Sequence, residues 1–257
     1  MDNPAFLCHR AYRQQSYGMH KISEFKLKIF KVIGVVFSAV FVALALTSPI
    51  IAATAMKGDT RKVVVVDAGH GGADGGVIGK RTGVKESDLN LKVAKLLGEY
   101  LIAGGYRVVY TRQNDTMHTY PSVRDNKKRA DMFKRGDIIN SAKPNAMVSI
   151  HMNFYSSSSR RGAQVFFDRH SEIGREFANT MQDIINDELN SAGGGRSYTA
   201  LSAEKYLLSC SPYPSIIVEC GFLSNPFDEA NLVDKDYQAK LAYTLFVGID
   251  SFLKSNG

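Results

Sequence analysis

Short apolar runs rich in valine and isoleucine alternate with longer segments of mixed polarity after residue 62. Brief continuous runs of this kind predict strands that are buried on both faces of a sheet. Their alternation with helical segments is typical of a mostly parallel sheet with helices on both faces. The predicted strands cover residues 63–67, 107–111, 146–150, 163–167, 206–209 and 215–219.

Apolar residues recur every three or four positions in two of the intervening segments, around 89–100 and 177–189. This spacing predicts helices that pack one face on the sheet. A basic segment at 123–142 and the last segment, 237–253, are also predicted to be helical. The sequence therefore predicts a single α/β domain over residues 63–257, joined to the preceding region by a polar linker at 57–62.

The first 56 residues have a different pattern. Residues 1–31 carry six basic and two acidic side chains, and residues 32–56 carry no charge. The small-x-small sequence that ends at Ala55 would let a signal peptidase cut there, but the uncharged stretch is also long enough to span a bilayer uncut. We therefore expect export by a signal peptide or a membrane anchor, with a start at Met19 as an alternative to Met1.

The net charge of +7 falls largely on the N-terminal region, which carries +4 and leaves only +3 for the remaining chain. So small an excess gives no support to nucleic-acid binding. Membrane contact is expected only through the N-terminal segment. Cys210 and Cys220 could form a disulfide in an exported domain or could be two small buried thiols, and the sequence leaves both open.

Three predicted strands are followed by, or end in, a residue capable of metal or acid–base chemistry. His70 follows the first strand, His151 the third and Glu219 ends the last. Sites in open α/β sheets form at the carboxyl ends of strands, so these side chains should lie at one edge. Glu86 starts the first predicted helix, after a glycine-rich loop has returned the chain to the same edge. That loop lacks the glycine spacing of a nucleotide-binding loop.

Two imidazoles and one carboxylate are typical ligands of a catalytic zinc site, which keeps a fourth position for water. Manganese or iron accepts similar ligands. A further carboxylate is needed to take a proton from water and return it to the leaving group, and Glu219 suits this role. Each residue alone has a structural explanation, such as a helix first-turn carboxylate or a buried ion-pair partner. Only their convergence favours catalysis.

Four motifs in this order resemble the zinc-dependent N-acetylmuramoyl-L-alanine amidases. They are Val-Asp-Ala-Gly-His-Gly-Gly at 66–72, Glu86, Ser-Ile-His-Met-Asn at 149–153 and Val-Glu-Cys-Gly-Phe-Leu-Ser-Asn at 218–225. The resemblance covers about residues 61–255. It implies one α/β domain around a sheet of about six strands. It also implies that one zinc ion is bound by His70, Glu86 and His151, and that Glu219 is the catalytic acid/base.

The reaction implied is hydrolysis of the amide between the lactyl group of N-acetylmuramic acid and L-alanine in peptidoglycan. The segment 219–226 looks most similar to germination-type amidases, which act in spore cortex so that muramic-δ-lactam can form. The implied location is the outer side of the cytoplasmic membrane, the cell wall or the forespore intermembrane space. An amidase that separates daughter cells or acts as an autolysin, a zinc peptidase and an inactive wall-binding module stay open, as does a need for an accessory protein in activation or zinc loading.

Further residues are predicted around the site. Asn153 is expected to hydrogen-bond substrate, and Arg112 and Arg135 to meet stem-peptide carboxylates, with internal pairing as the alternative for both arginines. Asp67 or Asp74 is expected to orient His70 through its second ring nitrogen.

Overall fold

A six-stranded sheet forms the centre of a computed structural model that describes residues 59–123, 125–191 and 196–256. The strands, in chain order, are β1 Val63–Ala68, β2 Arg107–Tyr110, β3 Ala146–Asn153, β4 Gln164–Phe167, β5 Leu201–Ser202 and β6 Ser215–Phe222. Their order in the sheet is β2-β1-β3-β6-β4-β5. Strands β2, β1, β3 and β6 run parallel to one another, and β4 is antiparallel to β6. The predicted mostly parallel sheet is confirmed. The expected signal or anchor at 1–56 lies outside the described residues.

The described helices are α1 Glu86–Ala103, α2 Lys127–Ala142, α3 Glu172–Ile185, α4 Tyr206–Ser209, α5 Pro226–Val233 and α6 Lys235–Ser255, and a π-helical turn at Asn186–Asn190 continues α3. Side chains that accept a first-turn N–H cap four of them: Asn126 for α2, Ser171 for α3, Asn225 for α5 and Asp234 for α6. The cap at Asn126 explains why α2 begins at residue 127 rather than at the predicted 123. Within the described residues, no helix is long and apolar enough to cross a membrane.

Alternation along the strands divides the buried residues between the two faces of the sheet. Val64, Val66 and Ala68 pack in the larger core cluster, to which α1, α3 and α6 contribute. Val65 packs on the opposite face against Ile139 of α2, in a smaller cluster that includes part of α4. The helices therefore cover both faces, as predicted. Side chains alternate between the two faces along a strand. The polar side chains at the strand ends therefore lie on the face that carries the smaller cluster.

The predicted strand at 206–209 is wrong, because these residues form the single turn α4. A run of three apolar residues does not distinguish a strand from a buried helical turn, and both Leu207 and Leu208 are buried. The edge strand is Leu201–Ser202 instead, which pairs with Phe166 and Phe167. Its two residues are exposed, so no hydrophobic pattern marks them.

The disulfide considered for Cys210 and Cys220 is not formed, since both are free thiols. Cys220 packs in the larger core cluster and Cys210 against the smaller one. The sheet lies between the two clusters and separates the sulfur atoms. The structure agrees with two unpaired thiols, of which Cys220 is buried and Cys210 is half-buried.

Candidate active site

Glu86 brings the three candidate metal ligands together. Its Oε1 lies 3.0 Å from Nδ1 of His151 and 3.3 Å from Nε2 of His70. One ligand atom from each of the three residues lies within 4.8 Å of the others. Both imidazoles thus present a ring nitrogen to the same carboxylate. Two imidazoles and one carboxylate match the ligand set of a catalytic zinc site, so the residues present fit that ion.

The Glu86 carboxylate is held in place by the surrounding chain. Its Oε2 accepts from Val77 N at 2.9 Å, and its Oε1 accepts from Met152 N at 3.1 Å and, more weakly, from Asn90 Nδ2. Burial on its own would raise the pKa of Glu86, but hydrogen bonds and charge interactions with the two histidines lower it well below its ordinary value. The group is therefore ionised and ready to bind a cation.

His70 occupies the left-handed backbone region, with φ of 59°. Such a conformation is costly for a residue other than glycine and is held only by its surroundings. Oδ2 of Asp74 lies 2.9 Å from His70 Nδ1, and Lys128 forms an ion pair with the same aspartate at 2.9 Å. Since Asp74 takes Nδ1, the other ring nitrogen is directed towards Glu86.

The ring of His151 packs directly on the backbone of Gly69. A Cβ atom on that glycine would lie 2.2 Å from His151 Cε1, closer than real contacts allow. The glycine in the first motif therefore makes room for the second histidine. Gly76 has a similar role, because a Cβ there would lie 2.4 Å from Glu86 Oε2 and its φ is +67°.

Glu219 lies beside His151, because the two residues are paired in register on β6 and β3. Its Oε2 is buried and has no hydrogen-bond partner within the described chain. Burial is the main reason that the pKa of Glu219 is raised. An unpaired buried carboxylate is costly in a folded protein, and at a cleft that cost points to function.

A cleft of about 490 Å³ connects these groups. His70, Glu86, His151 and Glu219 line it, and so does Asn153, the residue predicted to bind substrate. Oδ1 of Asn153 accepts from Phe154 N at 2.7 Å, while its carbonyl accepts from Leu223 N. Its side-chain NH₂ group carries the donors that a substrate carbonyl would need.

Arg112 and Arg135 are buried and paired within the protein, which is the alternative that the sequence left open. Arg112 donates to the carbonyls of Ala68, Gly69, Ser87 and Asn114. Arg135 donates to the carbonyls of Ala68 and His70 at 2.6 Å. The two guanidinium groups thus hold the turn that carries His70, and their donors are taken up by protein acceptors.

Asp67 belongs to the same network of buried hydrogen bonds as Arg135 and does not contact His70. It forms an ion pair with Arg135 at 2.7 Å and accepts hydrogen bonds from Thr111 and Ser149. Burial alone would raise the pKa of Asp67, but Arg135 and the two hydroxyl groups lower it to about 2. Of the two aspartates expected near His70, Asp74 is the one in contact.

The structure adds two residues that the sequence reasoning missed. Asn90 donates to the Gly69 carbonyl at 3.0 Å and so joins the two motifs. Its place four residues after Glu86 on one helix face could have revealed it. Lys205 is exposed at the rim of the cleft. It precedes a turn that was predicted as a strand, and no sequence signal marked it.

Comparison with known proteins identifies the family. The family model for N-acetylmuramoyl-L-alanine amidases matches residues 64–251, which is most of the chain. The chain belongs to this family. The resemblance drawn from the four motifs is confirmed, and the enzyme activity is that of the family, hydrolysis of the amide between N-acetylmuramic acid and L-alanine.

Individual members of the amidase family are similar over the same region. The germination-specific N-acetylmuramoyl-L-alanine amidase of Bacillus subtilis (strain 168) is 30% identical over 202 residues, which are 76% of this chain and 81% of that protein. The CwlD amidase of Clostridioides difficile, solved in complex with the GerS lipoprotein, superposes with a TM-score of 0.70 at 30% identity, covering 76% of this chain and 100% of that one. An amidase from Clostridium difficile 630 superposes at 0.68 with 28% identity, covering 77% and 99%.

Proposed function

We propose that the chain is a zinc-dependent peptidoglycan amidase in which His70, Glu86 and His151 hold the ion and Glu219 is the catalytic acid/base. The observation that carries the proposal is the convergence of three ligand atoms within 4.8 Å beside a buried, unpaired carboxylate oxygen. A bound zinc ion would polarise the scissile carbonyl and lower the pKa of water.

The proposed work of the protein's own residues is to position the substrate and move one proton. Asn153 donates a hydrogen bond to the substrate, and Glu219 accepts a proton from the attacking water. The carbon–oxygen bond forms at the lactyl carbonyl and the carbon–nitrogen bond to L-alanine breaks. Glu219 then gives the proton to the departing nitrogen. The products are a free lactyl carboxyl group and a stem peptide with a free amino terminus, and no covalent enzyme intermediate is needed.

The burial of Glu219 supports this assignment. A raised pKa makes the Glu219 carboxylate a stronger base towards water than an exposed glutamate, and it lets the group keep the proton until the nitrogen departs. Its position in register with His151 keeps it beside the candidate metal ligands. Asp74, which is paired with Lys128, contacts the ring nitrogen of His70 that does not face Glu86.

The test is incubation of the full chain, zinc-loaded and metal-stripped, with purified peptidoglycan, followed by mass spectrometry of the released fragments. Zinc-dependent release of stem peptides that begin with L-alanine is the expected result. A free-peptide substrate is included, because cleavage within peptides would identify a zinc peptidase instead. Binding without release by zinc-loaded protein, also in the presence of the accessory lipoprotein, would identify a wall-binding module.

We further propose that the substrate is spore cortex and that the product allows muramic-δ-lactam to form. Support comes from similarity to a germination-specific amidase and to CwlD. Deletion of the gene in a spore-forming host should remove muramic-δ-lactam from cortex hydrolysates. Expression of the parent protein should restore the lactam, and expression of Glu219→Gln should not. Normal lactam content after deletion, with defective daughter-cell separation, would identify a vegetative amidase.

The location and partner belong to the same proposal. We propose that residues 1–56 direct export or anchor the domain outside the cytoplasmic membrane, and that an accessory protein assists activation or zinc loading. The structure of CwlD with a lipoprotein supports the second point for a relative. N-terminal sequencing of the mature protein from cell fractions tests the first. Zinc content and turnover measured with and without the co-expressed host lipoprotein test the second.

A further inference from the structure

The loop after β3 and the start of α5 expose aromatic rings beside the cleft. The residues of this aromatic–basic surface are Phe154, Tyr155 and Phe227, together with Lys80, Arg160 and Arg161. Phe154, Tyr155 and Phe227 are 39%, 45% and 66% exposed. Isolated exposed aromatic residues are ordinary, but several on adjoining loops indicate an interaction site.

Each ring of the surface has a basic group over it. Lys80 Nζ lies 5.2 Å from the centroid of Phe154, and the Arg160 guanidinium carbon lies 4.8 Å from that of Tyr155. The guanidinium carbon of Arg161 lies 5.6 Å from the centroid of Phe227. These contacts hold positive charge beside the rings. A ligand would meet apolar faces and cations in the same place.

The backbone beneath the surface is held by hydrogen bonds between the loops. Tyr155 N donates to Ser224 Oγ at 3.0 Å, and Asn225 Nδ2 donates to the Ser158 carbonyl at 2.6 Å. Gly162 N donates to Asp228 Oδ2 at 2.8 Å. The loops are thus fixed before any ligand binds, which lowers the entropy cost of binding.

The surface is continuous with the candidate active site. Phe154 lines the cleft together with Asn153, and it directly follows the strand that carries His151. The next residue, Tyr155, already belongs to the exposed part of the surface. A long substrate bound at the cleft would therefore extend over these rings.

We propose that the aromatic–basic surface binds the peptidoglycan strand outside the scissile amide, with the rings against sugar faces and the basic groups against stem-peptide carboxylates. The inference rests on the proposed function and adds a second binding region to the same site. Charge complementarity favours this occupant. An apolar protein partner would need the rings but not a cation at each one, whereas a carboxylate-bearing glycan uses both.

The test compares a polymer with a minimal substrate. The double variant Tyr155→Ala/Phe227→Ala is prepared in the full zinc-loaded chain, with Tyr243→Ala, an exposed aromatic on α6, as the matched control. We expect KM for polymeric peptidoglycan to rise about tenfold, because the two truncations remove apolar area that the sugar faces would cover. The kcat on the polymer, and the kcat/KM for one N-acetylmuramoyl peptide, should stay as in the parent.

The charge contribution is measured separately by sedimentation of insoluble peptidoglycan with protein in a Glu219→Gln background. Arg160→Gln should weaken binding at low salt and reduce its salt dependence, whereas Arg175→Gln, on an exposed pair with Glu172, should not. Glycan strands stripped of stem peptides should lose the effect of Arg160→Gln and keep that of the aromatic double variant.

Unchanged polymer binding and KM in the double variant would overturn the inference and leave the surface to a protein partner. A parent enzyme that hydrolyses neither substrate, even with the accessory lipoprotein present, would refute the proposed function instead. In that case the sedimentation comparison still decides whether the surface binds peptidoglycan.

Discussion

His151 and Glu219 are register partners on the adjacent parallel strands β3 and β6. Neighbouring strands lie about 4.8 Å apart, and paired residues direct their side chains to the same face. The separation between the candidate metal ligand and the candidate base is therefore set by the sheet rather than by a mobile loop. The same rigidity keeps the Glu219 carboxylate buried and unpaired.

Glu219→Gln should abolish most activity and leave zinc binding intact. The amide has the same shape as the carboxylate, but it cannot accept the proton, so turnover of peptidoglycan should fall by about 10²- to 10⁴-fold. Zinc content measured by atomic absorption should equal that of the parent. Glu188→Gln, at an exposed position, is the control. Loss of zinc together with activity would mean that Glu219 is a ligand rather than the base.

Gly69→Ala should weaken zinc binding. The added Cβ would lie 2.2 Å from the His151 ring, so the imidazole must move away from Glu86. We expect a loss of about 10- to 100-fold in zinc affinity, similar to the loss of a group that orients a ligand. Competition with a chromogenic chelator measures it.

Gly75→Ala is the matched control for this change, because it lies in the same loop and its Cβ would meet nothing closer than 3.4 Å. Equal zinc affinity in the two variants would contradict the assigned contact between Gly69 and His151. Circular dichroism of both variants would show whether the fold is retained.

The four motif residues could be predicted from the sequence because each stands at the end of a clear element. His70, His151 and Glu219 follow or end valine- and isoleucine-rich strands, and the ends of parallel strands meet at one edge. Glu86 starts a strongly periodic helix. Pattern alone therefore located the site, and the family resemblance supplied the role of each residue.

Other features depend on tertiary contacts that no local pattern encodes. Arg112 and Arg135 stand near the motifs with the charge expected for binding carboxylates, yet their donors face the carbonyls of the turn around His70. The edge strand at Leu201–Ser202 consists of two exposed residues and forms through backbone pairing alone. The turn at Tyr206–Ser209 is too short for its period to be read.

The buried ion pair of Asp67 and Arg135 should make the free energy of unfolding depend on pH. The pKa of Asp67 in the folded protein is about 2, below its ordinary value of 3.8. A lowered pKa stabilises the fold above the ordinary value, and this contribution is lost as the pH falls from about 4 towards 2. The free energy of unfolding should therefore decline over that interval in the parent.

Asp67→Asn should remove this part of the pH dependence. At neutral pH it should lower the free energy of unfolding by about 3 kcal/mol, because Arg135 stays buried with only Asp131 as a charged partner. Urea unfolding at several pH values measures both effects, with the exposed Asp183→Asn as control. An equal slope between pH 4 and 2 in parent and variant would assign the acid sensitivity to other carboxyl groups.

Glu229 fixes the loop that returns the chain to Glu86. It is buried on α5, and its carboxylate accepts from Arg81 N, Thr82 N and the Thr82 hydroxyl at 2.8 to 3.1 Å. Burial would raise the pKa of Glu229, but these hydrogen bonds lower it. Glu229→Ala would leave two backbone donors without their acceptor, which costs about 1–3 kcal/mol when they stay buried.

Because opening of the loop relieves that cost, we expect faster trypsin cleavage after Arg81 in Glu229→Ala, followed by mass spectrometry of the fragments. Zinc affinity should decrease with it, since Val77 in the same loop donates to Glu86. Glu204→Ala, which removes an exposed partner of Arg169, should leave both unchanged. Cleavage after Arg81 at the parental rate would mean that the loop is held by other contacts, such as the Lys80 N–H to Leu223 carbonyl bond.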